Sequence, residues 1–154
     1  DILLLDSGGH YQTGTTDITR TLLIGDVPNQ GDVVDAFTHV LRGHIALAMA
    51  HFECGATGQQ LDGIARAPLW AAGLQFAHGT GHGVGLDIHE EPFLGASGQT
   101  ELVAGDVVTV EPGLYRVGTG GVRIEDLVVV TSEGHRNLTT HPKDSPCLPS
   151  RRTT

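Results

Sequence analysis

Three histidines in a glycine-rich segment constrain the fold more than any other feature of the chain. The segment HGTGHGVGLDIHE, residues 78–90, places them among four glycines. His78 and His82 lie four residues apart, a spacing that puts two ligands on one face of a helix. Each glycine in a helix interior is less favourable than alanine by about 1 kcal/mol, so a helix is not expected here. We therefore predict that extended chain or a loop displays the histidines and that the glycines allow close approach to the backbone.

Runs of β-branched and aliphatic residues predict four strands elsewhere in the chain. They cover residues 2–5, 15–24, 106–111 and 121–130. The first run is apolar enough to be a buried strand, and the sequence DSGG that follows it is expected to end it. A chain that begins inside a buried strand is expected to be part of a longer protein.

Apolar residues at helical spacing predict two helices between the second and third strands. The first covers about residues 33–52 and the second begins near Thr57. Asp32 is the expected N-cap of the first helix, and Gly55 is expected to follow its end. Pro68 is expected to interrupt the second helix and Gly73 to end it. This order of elements favours an α+β fold with helices on one face of a mostly antiparallel sheet. The expected domain is residues 1–140, and residues 141–154, with three prolines and a basic end, are expected to be a disordered tail.

Composition excludes several classes of protein. The net charge of −9 argues against nucleic acid as a partner, because phosphate binding needs a basic surface. No apolar run approaches the ~20 residues of a membrane span. The chain has only two cysteines, Cys54 and Cys147, which is too few for a disulfide framework or a thiolate metal site. A reducing, cytoplasmic setting is therefore expected.

Four carboxylates occupy unusual positions, within or at the end of apolar strands. They are Asp6, Asp17, Glu111 and Glu125. A carboxylate in such a place is unfavourable unless it is paired or bound to a metal ion. One such residue is most simply a turn cap or an ion-pair partner, but four of them beside a histidine cluster indicate metal binding. Side chains alternate along a strand, so Arg123 and Glu125 face the same side and the arginine can orient a carboxylate there.

The balance of these ligand types predicts the metal. Carboxylates outnumber imidazoles, which favours Mn²⁺ or Co²⁺, with Zn²⁺ as an alternative. Four carboxylates carry more negative charge than one divalent ion neutralises. Two ions that share bridging carboxylates are therefore expected, an arrangement well suited to hydrolysis.

Three motifs together resemble the proline-specific metallopeptidases of the pita-bread fold, the group that includes aminopeptidase P and prolidase. The segment HGTGHGVGLDIHE resembles their histidine signature, DSGGHYQTGTTDITRT their first acidic motif and EPGLYRVGTGGVRIED their last. The motifs occur in the same order as in the family and span residues 6–126. The resemblance implies a pita-bread fold whose part before the first aspartate motif is absent from this chain.

The resemblance also implies a set of five metal ligands. Asp17 and Glu125 would bridge both ions, and Asp6 would bind one of the ions alone. His82 and Glu111 would bind the other ion.

Four residues are candidate catalytic residues by the same resemblance. Glu111 is expected to accept a proton and pass it to the leaving nitrogen, and His89 to donate to the developing oxyanion. His78 is expected to form part of the wall around the proline ring. Arg123 is expected either behind the ligands, where it orients a carboxylate, or as an ion-pair partner.

The remaining polar residues of note receive structural interpretations. Arg20 is expected to be an ion-pair partner and Tyr115 to serve in packing. The histidines assigned to the surface or the core are His10, His39, His44, His51, His135 and His141.

The resemblance leaves the subgroup open. The first motif favours an Xaa-Pro aminopeptidase, which acts on peptides with proline at the second position. The sequences GLDIHE and GVRIED also resemble prolidases, which cleave Xaa-Pro dipeptides. A non-catalytic pita-bread binding module is a further alternative, although such relatives lose ligands and this chain retains all five. A homodimer of the full-length protein is also left open.

Overall fold

The computed structural model of the protein describes residues 1–25, 30–118 and 120–143. Two helices and nine strands lie in these ranges. The helices are α1 (Gln30–Ala48) and α2 (Gly58–Ala71). The strands are β1 (Ile2–Tyr11), β2 (Gly14–Leu23), β3 (Gly81–Gly83), β4 (Glu90–Leu94), β5 (Val107–Val110), β6 (Gly113–Arg116), β7 (Gly120–Arg123), β8 (Asp126–Thr131) and β9 (Gly134–Asn137).

The strands form one larger sheet and two hairpins. The sheet has the order β4-β3-β5-β8-β9, and β1-β2 and β6-β7 are the hairpins. All the pairs of named strands are antiparallel within the described residues. The predicted α+β class with antiparallel pairing is confirmed. Neither described helix combines the length and the apolar character needed to cross a membrane.

The first strand differs from its prediction in length and in burial. It continues through DSGG to Tyr11 because it pairs residue for residue with β2, and the ladder hydrogen bonds hold a segment of weak strand propensity. A Cβ atom on Gly8 would lie 2.6 Å from the carbonyl oxygen of Thr16, so only glycine fits there. The expected burial is wrong, since Leu3 and Leu5 are 42% and 50% exposed.

Both helices form where predicted, with different ends. Helix α1 begins at Gln30, so Asp32 lies in its first turn and is not the N-cap, and it ends at Ala48, before Gly55. Helix α2 begins after Thr57, whose main-chain N–H donates to Oε1 of Gln60 at 2.8 Å in a capping box.

Pro68 does not interrupt α2, contrary to the prediction. The helix runs on to Ala71, and Gly73 follows it at φ +69°. The side chain of Leu69 is fully buried, which stabilises the last turn by about 1.5–3 kcal/mol and offsets the hydrogen bond that proline does not donate.

The predicted strand 121–130 is in fact two strands that belong to different sheets. Strand β7 pairs with β6, and β8 pairs with β5 and β9. The break falls at Ile124 and Glu125, where Glu125 instead forms a single bridge with Thr19 of β2. This break brings the hairpin β1-β2 against the rest of the molecule.

Two apolar clusters hold the helices to the strands. In the first, Leu61 and Ala65 of α2 pack against Val108 and Val128 of the larger sheet. In the second, α1 packs against the β6-β7 hairpin through residues that include Val40, Val122 and Ile124. Because side chains alternate, burying Val122 and Ile124 under α1 turns Arg123 and Glu125 to the other side.

The predicted tail lies only partly within the described residues. Lys143 binds Asp126, and the carbonyl groups of His141 and Pro142 accept hydrogen bonds from Arg20. Residues 144–154 lie outside the described part of the chain, so their predicted disorder stays a prediction.

Candidate metal centre and active site

Three side chains from separate elements converge in front of the β7-β8 break. Asp17 comes from β2, His82 from β3 and Glu125 from the break itself. One ligand atom of each lies within 4.8 Å of the others. This is the only group of three or more potential ligands with that spacing among the described residues.

Glycine allows His82 to reach this position. A Cβ atom on Gly81 would lie 1.9 Å from the carbonyl oxygen of Thr109, and one on Gly83 would lie 2.4 Å from that of Glu91. Real Cβ atoms do not approach so closely, so β3 fits between its neighbours only without these side chains. The prediction of extended chain for this segment is confirmed around His82.

The ring of His82 is oriented as a metal ligand. Its Nδ1 lies 3.0 Å from the carbonyl oxygen of Gly83, so an Nδ1–H donates there and Nε2 faces the carboxylates. Nε2 lies 3.2 Å from Oε1 of Glu111 and 3.8 Å from Oδ2 of Asp17. Burial opposes a charge on His82, but the hydrogen bonds with Glu111 and Gly83 prevail and raise its pKa.

Burial and neighbouring acidic groups make ionisation of the carboxylates in this group unfavourable. Glu125 is only 2% exposed, and burial together with the charge of Glu111 raises its pKa to about 8. The hydroxyl of Thr19 donates to its Oε2 at 2.6 Å and opposes the rise. Burial and the nearby Asp6 likewise raise the pKa of Asp17. A bound cation would offset this cost and stabilise the ionised carboxylates.

The other two predicted ligands lie at the edge of the group. Glu111 follows β5, and its Oε1 accepts a hydrogen bond from the Thr109 hydroxyl at 3.0 Å, which helps to hold it beside His82. Asp6 is about half exposed and its Oδ2 lies 2.6 Å from Nη2 of Arg123. The structure therefore brings three of the five predicted ligands into one tight group, with Glu111 beside it and Asp6 turned to an arginine.

Arg123 links several of these residues. Besides Asp6, its guanidinium donates to the Thr19 hydroxyl at 3.2 Å and to the Tyr115 hydroxyl at 3.2 Å. The Tyr115 hydroxyl in turn lies 2.8 Å from Nε2 of His78. A role in packing alone is therefore wrong for Tyr115, which joins the polar contacts of the site.

The four candidate catalytic residues line one open cavity. His78, His89, Glu111 and Arg123 all border a space of about 890 Å³ that also exposes His82. The His89 ring contacts that of His82 edge to face, with centroids 4.2 Å apart. The His78 ring lies between Phe76 and Tyr115, at centroid distances of 4.9 and 5.4 Å. A molecule bound in this cavity would therefore lie beside the ligand group.

Helix α2 anchors the start of the histidine segment through residues that sequence reasoning missed. Asp62 accepts hydrogen bonds from the Thr80 hydroxyl at 2.7 Å and from Arg66 at 2.7 Å. Arg66 also donates to the carbonyl groups of Phe76 and His78. The four-residue spacing of Asp62 and Arg66 was visible in the sequence, but their partners outside the helix were not.

His44 is the most buried of the histidines assigned to the surface or the core. It is 1% exposed, and burial lowers its pKa to about 4. Its Nε2 lies 3.5 Å from Oδ2 of Asp126, on the far side of the chain from Glu125.

A comparison with protein families matches residues 1–132 to the metallopeptidase family M24. Among curated proteins, the chain is 46% identical to Xaa-Pro aminopeptidase 1 of Dictyostelium discoideum, over 82% of this chain and 21% of that protein. It is 51% identical to the probable Xaa-Pro aminopeptidase P of Fusarium vanettenii, over 84% and 22%. The chain thus spans about a fifth of the length of these two relatives.

Solved structures with the same fold include both predicted subgroups. The Xaa-Pro dipeptidase from Bacillus anthracis matches 93% of this chain and 40% of its own, with a TM-score of 0.85 and 39% identity. The X-prolyl aminopeptidase from Caenorhabditis elegans, described as a cytosolic enzyme with a di-nuclear active site, matches 92% and 25%, with a TM-score of 0.82 and 42% identity. These superpositions, with the family match, confirm the pita-bread fold that the motifs implied.

Proposed function

The chain belongs to metallopeptidase family M24, and on that premise we propose that the protein hydrolyses the Xaa-Pro bond at the N-terminus of peptides as a metal-dependent aminopeptidase. The observation that carries the proposal is the convergence of Asp17, His82 and Glu125 within 4.8 Å beside an open cavity. The named aminopeptidases at 46% and 51% identity support the specificity.

The side chains fit two divalent ions, which when bound would supply Lewis acidity and lower the pKa of a water nucleophile. Buried carboxylates with raised pKa values, beside an imidazole whose Nε2 faces them, are a donor set for Mn²⁺ or Co²⁺, with Zn²⁺ as an alternative. In this proposal Asp6, Asp17 and Glu125 would hold one ion. His82 and Glu111, together with Asp17 and Glu125, would hold the other.

Glu111 is the proposed proton carrier. Its Oε1 is held by Thr109 and by His82, and its Oε2 lies 3.9 Å from Nε of Arg123. These contacts orient the carboxylate towards the cavity, where it would take a proton from the nucleophile and give it to the leaving nitrogen.

The two cavity histidines have separate proposed roles. His89 borders the cavity against His82 and would donate to the oxyanion that develops on the scissile carbonyl. His78 is held by Phe76 and Tyr115 and would form one wall of the space for the proline ring. A bond to proline has no N–H on its nitrogen, so the shape of such a wall matters more than a hydrogen-bond acceptor there.

The second candidate is an Xaa-Pro dipeptidase. The structure of the Bacillus anthracis Xaa-Pro dipeptidase, with a TM-score of 0.85, favours it. A tripeptide with proline second, measured beside an Xaa-Pro dipeptide, separates the two. Faster turnover of the tripeptide supports the aminopeptidase, and faster turnover of the dipeptide moves the assignment to prolidase.

The metal part of the proposal has its own test. We would strip the protein with a chelator, add single metals back, and count bound ions by elemental analysis. Two ions at full activity, with Mn²⁺ or Co²⁺ most effective, support the proposal, and one ion at full activity contradicts it. The cytosolic relative supports a cytoplasmic location, and light scattering would test the homodimer.

A further inference from the structure

Arg20 satisfies every donor of its guanidinium behind the candidate metal centre. The side chain leaves β2 on the face opposite Asp17 and Thr19 and is 7% exposed. Its Nη1 donates to the carbonyl oxygens of Thr19 at 2.9 Å and Glu125 at 2.6 Å. Its Nη2 donates to Oδ1 of Asp126 and to the carbonyl oxygen of His141, both at 2.8 Å. Its Nε donates to the carbonyl oxygen of Pro142 at 3.0 Å. Five N–H groups thus meet five acceptors.

Two of these contacts fall at the break between β7 and β8 and at the Thr19 bridge beside it. Glu125 lies between β7 and β8 and belongs to neither, so the ladders of both strands stop beside it. Its amide donates to the Thr19 carbonyl at 3.1 Å, and Arg20 binds the carbonyl groups of both residues. The same two residues also meet through their side chains, because the Thr19 hydroxyl donates to the Glu125 carboxylate on the face towards the metal centre.

We propose that Arg20 is a positioning residue for the metal centre. By fixing the main chain of Thr19 and Glu125 from behind, it keeps the Glu125 carboxylate and the Thr19 hydroxyl aimed at Asp17 and His82. It touches neither the ligand atoms nor the cavity. The inference rests on the metal-binding part of the proposed function.

Geometry, more than charge, makes arginine suited to this position. Asp126 already has Lys143 and Asn137 on its second oxygen, so its charge is neutralised without Arg20. The planar fork of arginine binds two carbonyl groups with one nitrogen and a carboxylate with the next. A lysine at this position has one nitrogen and cannot span these acceptors.

The test compares Arg20→Lys and Arg20→Met with Lys143→Met as the matched control. Lys143→Met also removes a cation from Asp126 but leaves the Thr19 and Glu125 carbonyl groups bound. We would measure Mn²⁺ affinity by competition with a chelator, and folding of the metal-free proteins by circular dichroism and thermal melting. Both Arg20 variants should bind Mn²⁺ about 10- to 100-fold more weakly than the unchanged protein, while Lys143→Met stays within about threefold.

Three results would overturn the inference. The first is unchanged Mn²⁺ affinity in Arg20→Lys, and the second is an equal loss in Lys143→Met. The third is an Arg20→Lys protein that does not fold, because Arg20 would then serve general folding; if only Arg20→Met fails to fold, Arg20→Lys decides. Failure of the unchanged protein to bind Mn²⁺, Co²⁺ or Zn²⁺ is a distinct result, since it refutes the metal-binding part of the proposed function.

Discussion

Glu125 and Asp126 are neighbours in sequence, are both buried, and behave in opposite ways. Glu125 is 2% exposed and faces Glu111, Asp17 and Asp6, and burial beside these charges raises its pKa to about 8. Asp126 is fully buried, but hydrogen bonds from Lys143, Asn137 and Arg20 outweigh its burial and lower its pKa. Burial alone therefore does not decide the state of a carboxylate here; its partners do.

The difference shows which of the two carboxylate clusters is neutralised by side chains of the protein itself. Around Asp126 the protein supplies its own cations, so the cluster stabilises the fold as it stands. Around Glu125 it supplies the Thr19 hydroxyl, the His82 imidazole and the Arg123 guanidinium, which are too few to let all four carboxylates ionise together, and bound ions would neutralise the rest. The side chains of adjacent residues leave opposite faces, so one dipeptide contributes to both clusters.

The largest expected effect is loss of metal and turnover in Glu125→Gln. The amide removes a charge that two ions would share, and losing several kcal/mol of such stabilisation lowers turnover by about 10³-fold or more. Turnover and metal content would be measured together. Glu133→Gln, at an exposed position, is the control and should change neither. A Glu125→Gln protein that retained two ions would remove the contrast between the clusters.

Asp126→Asn should instead act on folding. Arg20 and Lys143 would face a neutral amide, and breaking a buried ion pair lowers the free energy of unfolding by about 3–5 kcal/mol. Urea unfolding of the metal-free protein measures this. Asp32→Asn, in the exposed first turn of α1, is the matched control and should lower it by less than about 1 kcal/mol. Equal effects of the two substitutions would contradict the role assigned to Asp126.

A second contrast lies within the metal-facing cluster, between His82 and His89. His82→Ala should lose metal and turnover together, because it removes a proposed ligand. His89→Ala should keep both ions and lower turnover by about 10²- to 10³-fold, the range for removing one oxyanion donor. Metal titration of each variant, with a thermal melt as control, separates the two. If His89→Ala loses metal as fully as His82→Ala, the division of roles is wrong.

Some of this arrangement was predictable because it depends on local chemistry. Three glycines within residues 79–83 exclude a helix, and the structure has extended chain there. Tertiary contacts decided the rest. Pairing with β2 carries β1 through DSGG, and burial of Leu69 carries α2 through Pro68. The role inferred for Arg20 leaves no sequence pattern, because four of its five acceptors are main-chain carbonyl groups, three of them more than 100 residues away.

The two clusters should also give the metal-free protein opposite responses to pH. The pKa of Glu125 is raised from 4.5 to about 8, so its contribution to stability is fully present below about pH 4.5 and is lost as the pH rises through 8. Glu125→Gln should therefore unfold like the unchanged protein at pH 4.5 and be more stable at pH 9, by on the order of 3 kcal/mol. Asp17, whose pKa is also raised, remains in the variant and retains part of the alkaline loss. Urea unfolding at the two pH values, with chelator present, makes the comparison. Equal stabilities at pH 9 would contradict the assignment.

The smallest expected effect is on the acid side and comes from His44. Burial lowers its pKa from 6.5 to about 4, so between these values the unfolded chain binds a proton that the folded protein does not. The contribution of His44 to stability is therefore fully present above about pH 6.5 and is lost as the pH drops towards 4. His44→Leu removes this proton and should reduce the loss over that interval by about 2 kcal/mol. His135, whose pKa burial also lowers, stays in the variant, so the acid loss shrinks without disappearing. Urea unfolding at pH 7 and pH 4.5 measures the difference. His44→Leu should leave the alkaline loss untouched, since that loss belongs to Glu125 and Asp17 in the other cluster. A variant that reduced both the acid and the alkaline loss would show that the two clusters titrate as one.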